Sequence, residues 1–388
     1  MKNYNITITS CFVGYITQAI VNNFIPLLFV TLQDTYTIPL SQITLLVTIN
    51  FGVQLPTDLL ATGFVDKLGY RISIVLAHVF SAAGLLLLPV LPNLMDPFAG
   101  ILTAVIVYAV GGGLLEVLVS PIMESCPTDN KESAMSLLHS FYCWGHVGVV
   151  LISTLFFHFA GIENWPLLSG IWAMIPIVNG IIFTRAPIAP LIAEGEKGMS
   201  FRELFGSKVF WLMMVMMVCS GASEQAVSQW SSAFAEQGLG ISKTAGDLAG
   251  PMAFAIFMGS ARAFYGKLGD KLNLDKFMLG SLILCVFSYL LISLPPLPVL
   301  SLAGCALCGL SVGILWPGTF SKAAVALRRG GTAMFALLAL AGDLGCSGGP
   351  SLVGLVADSA GGNLKSGILA GILFPIILLL CLCKKTEK

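Results

Sequence analysis

The sequence predicts an all-α polytopic membrane protein: twelve transmembrane helices arranged as two pseudo-symmetric six-helix bundles. Three observations predict it. Of 388 residues, 56% are hydrophobic and only 10% are charged, whereas soluble domains carry about 25% charged residues. The charge is also bunched, so that apolar stretches of about 20 residues, the length of a membrane span, alternate with short charged patches. Finally, landmarks of the first half recur in the second at a steady offset of 199 to 204 residues.

In chain order the spans fall near 6–31, 40–63, 72–91, 98–122, 134–160, 164–184, 209–237, 245–266, 277–294, 297–318, 331–356 and 363–383. Runs this long and apolar mean helices, which satisfy their own backbone groups in lipid. The first run lacks a small-residue cleavage site and is read as a span, not a signal peptide. The first six spans form an N-terminal bundle over 1–184. The longest polar segment, 185–208, is read as a cytoplasmic central loop. The last six spans form a C-terminal bundle over 209–388.

Lys and Arg set the orientation. Inner loops hold Lys67, Arg71, Lys131, Arg185, Lys271, Lys322 and Arg329 among others, with Arg262 near the inner end of span eight. Outer loops hold only Lys243 and Lys365. Both termini are therefore expected in the cytoplasm, in a plasma or inner membrane. A formal net charge of zero implies no nucleic-acid partner. The sequence has no G-x-x-x-x-G-K-[ST] loop for ATP and no nucleophile–base pair, so no enzyme is expected. No metal cluster and no cofactor motif is visible. Cys305 and Cys308 have redox spacing but lie mid-helix, as small packing residues.

The repeated landmarks are specific. Asp66-Lys67-Leu68-Gly69 recurs as Asp270-Lys271-Leu272-Asn273, and Gly113 with Glu116 lines up with Gly313 and Trp316. Gly145 and Gly148 match Gly345 and Gly348. Two parallel six-helix halves are a transporter architecture, with the substrate site expected between them near mid-membrane.

The loop from Gly63 through Asp66, Lys67 and Gly69 to Arg71 resembles the G-x-x-x-D-R-x-G-R/K motif of the major facilitator superfamily, one residue short between Gly and Asp. With Asp270 and Lys271 it is read as a cytoplasmic gate, in which glycine permits a tight turn and close approach. A narrower resemblance is to the fucose–proton symporter family. It rests on Gly113-x-x-Glu116-x-x-x-x-Pro121, on Ser136-Leu-Leu-His139-Ser-Phe-Tyr142-x-x-Gly145, and on Trp316-Pro317-Gly-Thr-Phe320. That resemblance implies that the acid of span four carries a coupled proton. It also implies an aspartate in span one, where this chain has Asn22-Asn23, with Asn23 at the acid's position.

Glu116 is the one charge in a long apolar run. A carboxylate at a helix centre costs about 2.5–3.5 kcal/mol to insert. Such a group faces a cavity or a partner, and low dielectric favours its neutral form, which suits it to holding and releasing a proton. Packing against a neighbouring helix and direct contact with the substrate are the other uses open to it. Asp343 in span eleven is a second intramembrane acid, open to proton coupling or to an interhelical lock.

Polar residues also form stripes. Tyr15, Gln18 and Asn22 share a face of span one, and Asn50, Gln54 and Asp58 one of span two. His139, Tyr142 and His146 share a face of span five; Gln225 and Gln229 share one of span seven, with Glu224 and Trp230 beside it. Polar stripes in lipid must point inward. Amides suit sugar hydroxyls because they donate and accept together, and Trp230 and Trp316 could stack on a sugar's apolar face. Each amide could instead bond helix to helix. Asp58 is read as a gate residue near the inner end of span two, and His78 and His146 as interhelical partners.

The function these features predict is proton-coupled uptake of a small polar solute, a sugar above all, by alternating access in a monomer within a lipid bilayer. The partners are the solute and protons. The competing functions are proton-driven efflux of amphipathic compounds and an uncoupled sugar facilitator.

Overall fold

The computed structural model describes residues 3–38, 40–191, 198–229, 231, 243–361 and 363–383. Among them every regular element is helical. The helices are α1 (Tyr4–Asn23), α2 (Phe29–Tyr36), α3 (Leu40–Leu68), α4 (Tyr70–Leu87), α5 (Pro97–Ser125), α6 (Lys131–Ala160), α7 (Trp165–Arg185) and α8 (Phe201–Gly206). They continue as α9 (Lys208–Ser228), α10 (Lys243–Leu268), α11 (Leu274–Ser293), α12 (Pro298–Val312), α13 (Leu315–Ala326), α14 (Gly331–Ser359), α15 (Leu364–Gly371) and α16 (Leu373–Cys383).

Among the described residues, ten helical stretches are long and apolar enough to cross a membrane. The two other expected spans are α3 and α10, of 29 and 26 residues. At 1.5 Å per residue each exceeds the roughly 30 Å of a hydrocarbon core. α3 carries Asn50, Gln54 and Asp58, and α10 carries Arg262. The expected twelve spans are thus helical in their described parts.

Three boundaries differ from expectation. Span one stops at Asn23, because Pro26 sits in a 3-10 turn, Ile25–Leu28, before α2. Span two runs five residues past its expected end, to Leu68. Span ten divides into α12 and α13 and continues to Ala326. The part of span seven beyond residue 231 lies outside the described residues.

Contacts divide the chain into two compact units: Met1–Pro127 with Phe141–Glu194, and Thr128–Ser140 with Gly195–Lys388. In the first unit, Ile20, Phe24, Leu85, Val105, Tyr108, Trp165 and Trp172 share one buried core. Hydrogen bonds cross between its helices. The Asn179 amide donates to Ser10 O at 2.9 Å and lies 2.8 Å from His78 Nε2. His78 Nδ1 meets Ile74 O at 2.7 Å, so the ring donates from Nδ1 and accepts at Nε2. The expected interhelical role of His78 is what is observed.

In the second unit, α14 lies on α9 through Gly221, Gly345 and Gly349, where added side chains would collide with the facing helix. Small residues let backbones approach where lipid supplies no hydrophobic drive. The Tyr289 hydroxyl donates to Ser223 O at 2.8 Å, tying α11 to α9. Before α9, Ser200 and Glu203 form a reciprocal cap on α8. The Ser200 backbone N–H, then its hydroxyl, hold the Glu203 carboxyl below its ordinary value. That cap adds stability at neutral pH and loses it as pH falls through the lowered value.

Candidate functional site

In the first unit, α1, α3, α5 and α6 bring the polar stripes into one network. Asn22 is its hub. Its Oδ1 accepts from Asn50 Nδ2 at 3.0 Å and Gln54 Nε2 at 2.8 Å, and its Nδ2 reaches the Tyr142 hydroxyl at 3.4 Å. One turn back along α1, Gln18 Nε2 donates to Glu116 Oε2 at 2.9 Å. A turn further, the Tyr15 and Ser120 hydroxyls are 2.8 Å apart. Spacings of three and four residues put these groups on one face of α1. Gln18, Asn22, Asn50 and Gln54 are all buried.

Asn23 adjoins this face, its side chain also meeting Tyr142. Its amide donates to Ala19 O on its own helix at 2.8 Å. Asp58 is placed differently from expectation. It is 0% exposed, and its carboxylate lies within 4.8 Å of that of Glu116. The reason is the length of α3: continuing to Leu68, it leaves Asp58 ten residues from its end.

Asn22→Ala is expected to strand two buried amide donors. Each such loss costs about 1–3 kcal/mol in proteins, and less where neighbours can re-pair in a membrane. A thermal melt of the purified variant checks this, and an unchanged Tm would remove Asn22 as the hub.

In the second unit the residues gather around an ion pair. Arg262 Nη2 meets Glu224 Oε2 at 3.2 Å, with the two side chains 5% and 14% exposed. Arg262 also donates from Nε to Gly313 O at 2.8 Å and from Nη1 to His139 O at 3.3 Å. The Ser136 hydroxyl donates to Arg262 O at 2.8 Å. Glu224, expected to face a solute, is engaged by this arginine. Arg262, counted among the inner positive charges, is buried.

Aromatic rings line the same region. The His139 ring stacks on Phe320 at 5.8 Å between centroids, and Phe320 meets Trp316 edge-on at 6.2 Å. Trp316 lies over Gly342 of α14, next to half-buried Asp343. Gln225 is half-buried, as Glu224 is, and Gln229 is exposed. Trp230 lies outside the described residues.

Asp58 and Arg262 are related by 204 residues, the offset that also relates Asp66 to Asp270. Each lies against the glycine of a repeated landmark. A Cβ at Gly113 would stand 3.1 Å from Asp58 Oδ1, and Arg262 reaches the Gly313 carbonyl. The signal for Arg262 was available in the sequence: a lone cation on an apolar span, answering a lone Glu224 on another.

At the loop after α3, Gly69 makes the turn with φ +84°, a conformation that favours glycine. Arg71 Nη1 donates to Phe183 O at 2.9 Å and Thr184 O at 2.8 Å, tying α4 to the end of α7. Gly63 was expected to permit a close approach. Among the described residues, nothing lies within 4 Å of where its Cβ would be, so it makes none. Lys67, Asp270 and Lys271 are exposed, and the Asp66 side chain lies outside the described residues.

Long apolar helices that carry buried polar networks define a class: a polytopic membrane protein. The family follows directly. A model of the Major Facilitator Superfamily matches residues 10–383, and the chain belongs to that family of membrane transporters. Two solved structures of the fucose:proton symporter FucP are similar. One, from E. coli, has a TM-score of 0.81 at 16% identity over 100% of both chains. The other, in an outward conformation, has 0.82 at 16%, over 99% of this chain and 100% of that one. The proton:xylose symporter XylE gives 0.81 at 11% identity, over 99% and 96%. The human organic anion transporter TETRAN gives 0.77 at 14%, over 98% and 100%. At such identities these likenesses speak to fold. No curated protein sequence matches the chain.

Proposed function

We propose that this transporter takes up a small polar solute, a sugar above all, together with a proton, by alternating access in a cell membrane with both termini in the cytoplasm. The observation that carries the proposal is the amide network of Asn22, Asn50 and Gln54 with Tyr142, beside the Gln18–Glu116 contact. Amides and hydroxyls both donate and accept, as sugar hydroxyls do. Greasy cargo would have no use for such a cluster. Glu116 is the proton carrier in this proposal, with Asp343 as a second candidate, and Trp316 supplies an aromatic face. The loop motif around Gly69 and Arg71 acts as the cytoplasmic gate. The similarity to two sugar:proton symporters supports the choice of solute.

The test uses purified protein in liposomes with a pH dye inside, challenged with a panel of hexoses, pentoses and other polar solutes. Solute-dependent acidification supports the proposal. Uptake without acidification supports the uncoupled facilitator instead, a second reading favoured by Asn23, which cannot take a proton and whose amide is turned onto Ala19 O. No uptake from the whole panel sinks both.

A further inference from the structure

Span ten carries a fault that its own backbone cannot mend. In a continuous helix the Gly313 carbonyl would accept from the N–H four residues on. That residue is Pro317, which has none. The helix breaks there. α12 ends at Val312, α13 begins at Leu315, and regular bonding resumes as Gly318 N donates to Ile314 O at 2.8 Å. A buried carbonyl without a donor is costly.

Arg262 supplies the donor. Its Nε meets Gly313 O at 2.8 Å, and the residue is 4% exposed, so the bond is made out of water. The approach depends on glycine: a Cβ at 313 would stand 2.9 Å from Ala261 Cβ and from Met258 O. Just beyond the break stand Trp316 and Phe320, the latter stacked on His139.

The first bundle offers a comparison. Val117 matches Pro317 at the offset of 200 that relates Gly113 to Gly313, and α5 runs unbroken through it. There the residue matching Arg262 is Asp58, which when ionised can only accept. The residue four on from the landmark glycine keeps its N–H in the first bundle, as Val117, and lacks it in the second, as Pro317; the donor side chain stands in the second.

We propose that Arg262 is the positioning residue of span ten: its Nε–H replaces the N–H that Pro317 lacks and so sets how Trp316 and Phe320 are presented. The purpose of that wall, receiving a sugar's apolar face, rests on the proposed transport function. The hydrogen bond does not. Glu224 orients the guanidinium from α9.

Arg262→Lys keeps the charge beside Glu224 but replaces the planar fork with one ammonium. In full-length protein it is expected to lower Tm by about 1–2 °C, the scale of a lost buried hydrogen bond in a chain of this length. It also moves Trp316 emission to the red, read as the difference between each protein and its Trp316→Phe counterpart. Adding Pro317→Ala returns an N–H to the Gly313 carbonyl, and both quantities recover. In proteoliposomes the KM for an accepted sugar rises severalfold in Arg262→Lys and falls back in the double variant. Should Arg262→Lys fail to fold, recovery of folded yield by Pro317→Ala makes the same decision. A native-like Arg262→Lys, or no rescue by Pro317→Ala, overturns the proposal and leaves Arg262 as Glu224's counter-charge. Recovery of Tm without recovery of Trp316 emission also overturns it, making Arg262 a clamp. Absent uptake by the native protein defeats the transport proposal, while the Tm and emission cycle still decides Arg262.

Discussion

Glu116→Gln is expected to abolish solute-driven acidification while leaving the fold intact. The substitution keeps the shape of the side chain and an oxygen that can accept from Gln18 Nε2, now 2.9 Å from Glu116 Oε2. It removes only the proton. A charged carboxylate costs about 2.5–3.5 kcal/mol at a helix centre, so a coupled cycle must neutralise it before it is enclosed. The neutral amide can pass that step but has no proton to deliver inward. The pH dye should then read as it does in empty liposomes, while Tm stays near the native value. Equal solute uptake in both proteins, without acidification, would make Glu116 structural and the protein a facilitator.

The second large effect is on stability. Arg262→Met should destabilise the second unit by about 3–5 kcal/mol, because it leaves Glu224 buried and charged with its partner gone. Adding Glu224→Gln removes the stranded charge, and most of the loss should return. What remains is the Gly313 and His139 carbonyls, worth about 1 kcal/mol each or less in a membrane interior. Thermal or denaturant unfolding of the single and double variants measures both. A double variant no more stable than Arg262→Met alone would mean that the 3.2 Å contact carries no charge pairing.

How much of this was legible beforehand differs between residues. Glu116 was legible, being a single acid in an apolar run. The stripes on spans one and two were legible from spacing, and the structure joins them through Asn22. Asp58 was misplaced because a helix end had to be guessed. Asp66 and Lys67 look like part of the loop, yet α3 continues through them to Leu68. Glu224 read as a solute contact because its partner lies 38 residues away on another helix. Pro317 was visible, but its consequence depended on which side chain stood beside the Gly313 carbonyl.

Sequence alone determined what composition and repetition can carry: a membrane chain, twelve helical spans, two related halves, and the family that follows. Entry into lipid depends on transfer free energy summed over about 20 neighbouring residues, which is a local quantity. Tertiary structure alone decided who meets whom. It made Asn22 a hub, put Asp58 beside Glu116, gave Glu224 to Arg262 and gave Arg262 to the broken span ten. The physical reason is that a buried polar group is satisfied by geometry between helices far apart in the chain, and hydropathy along one helix says nothing of its neighbour.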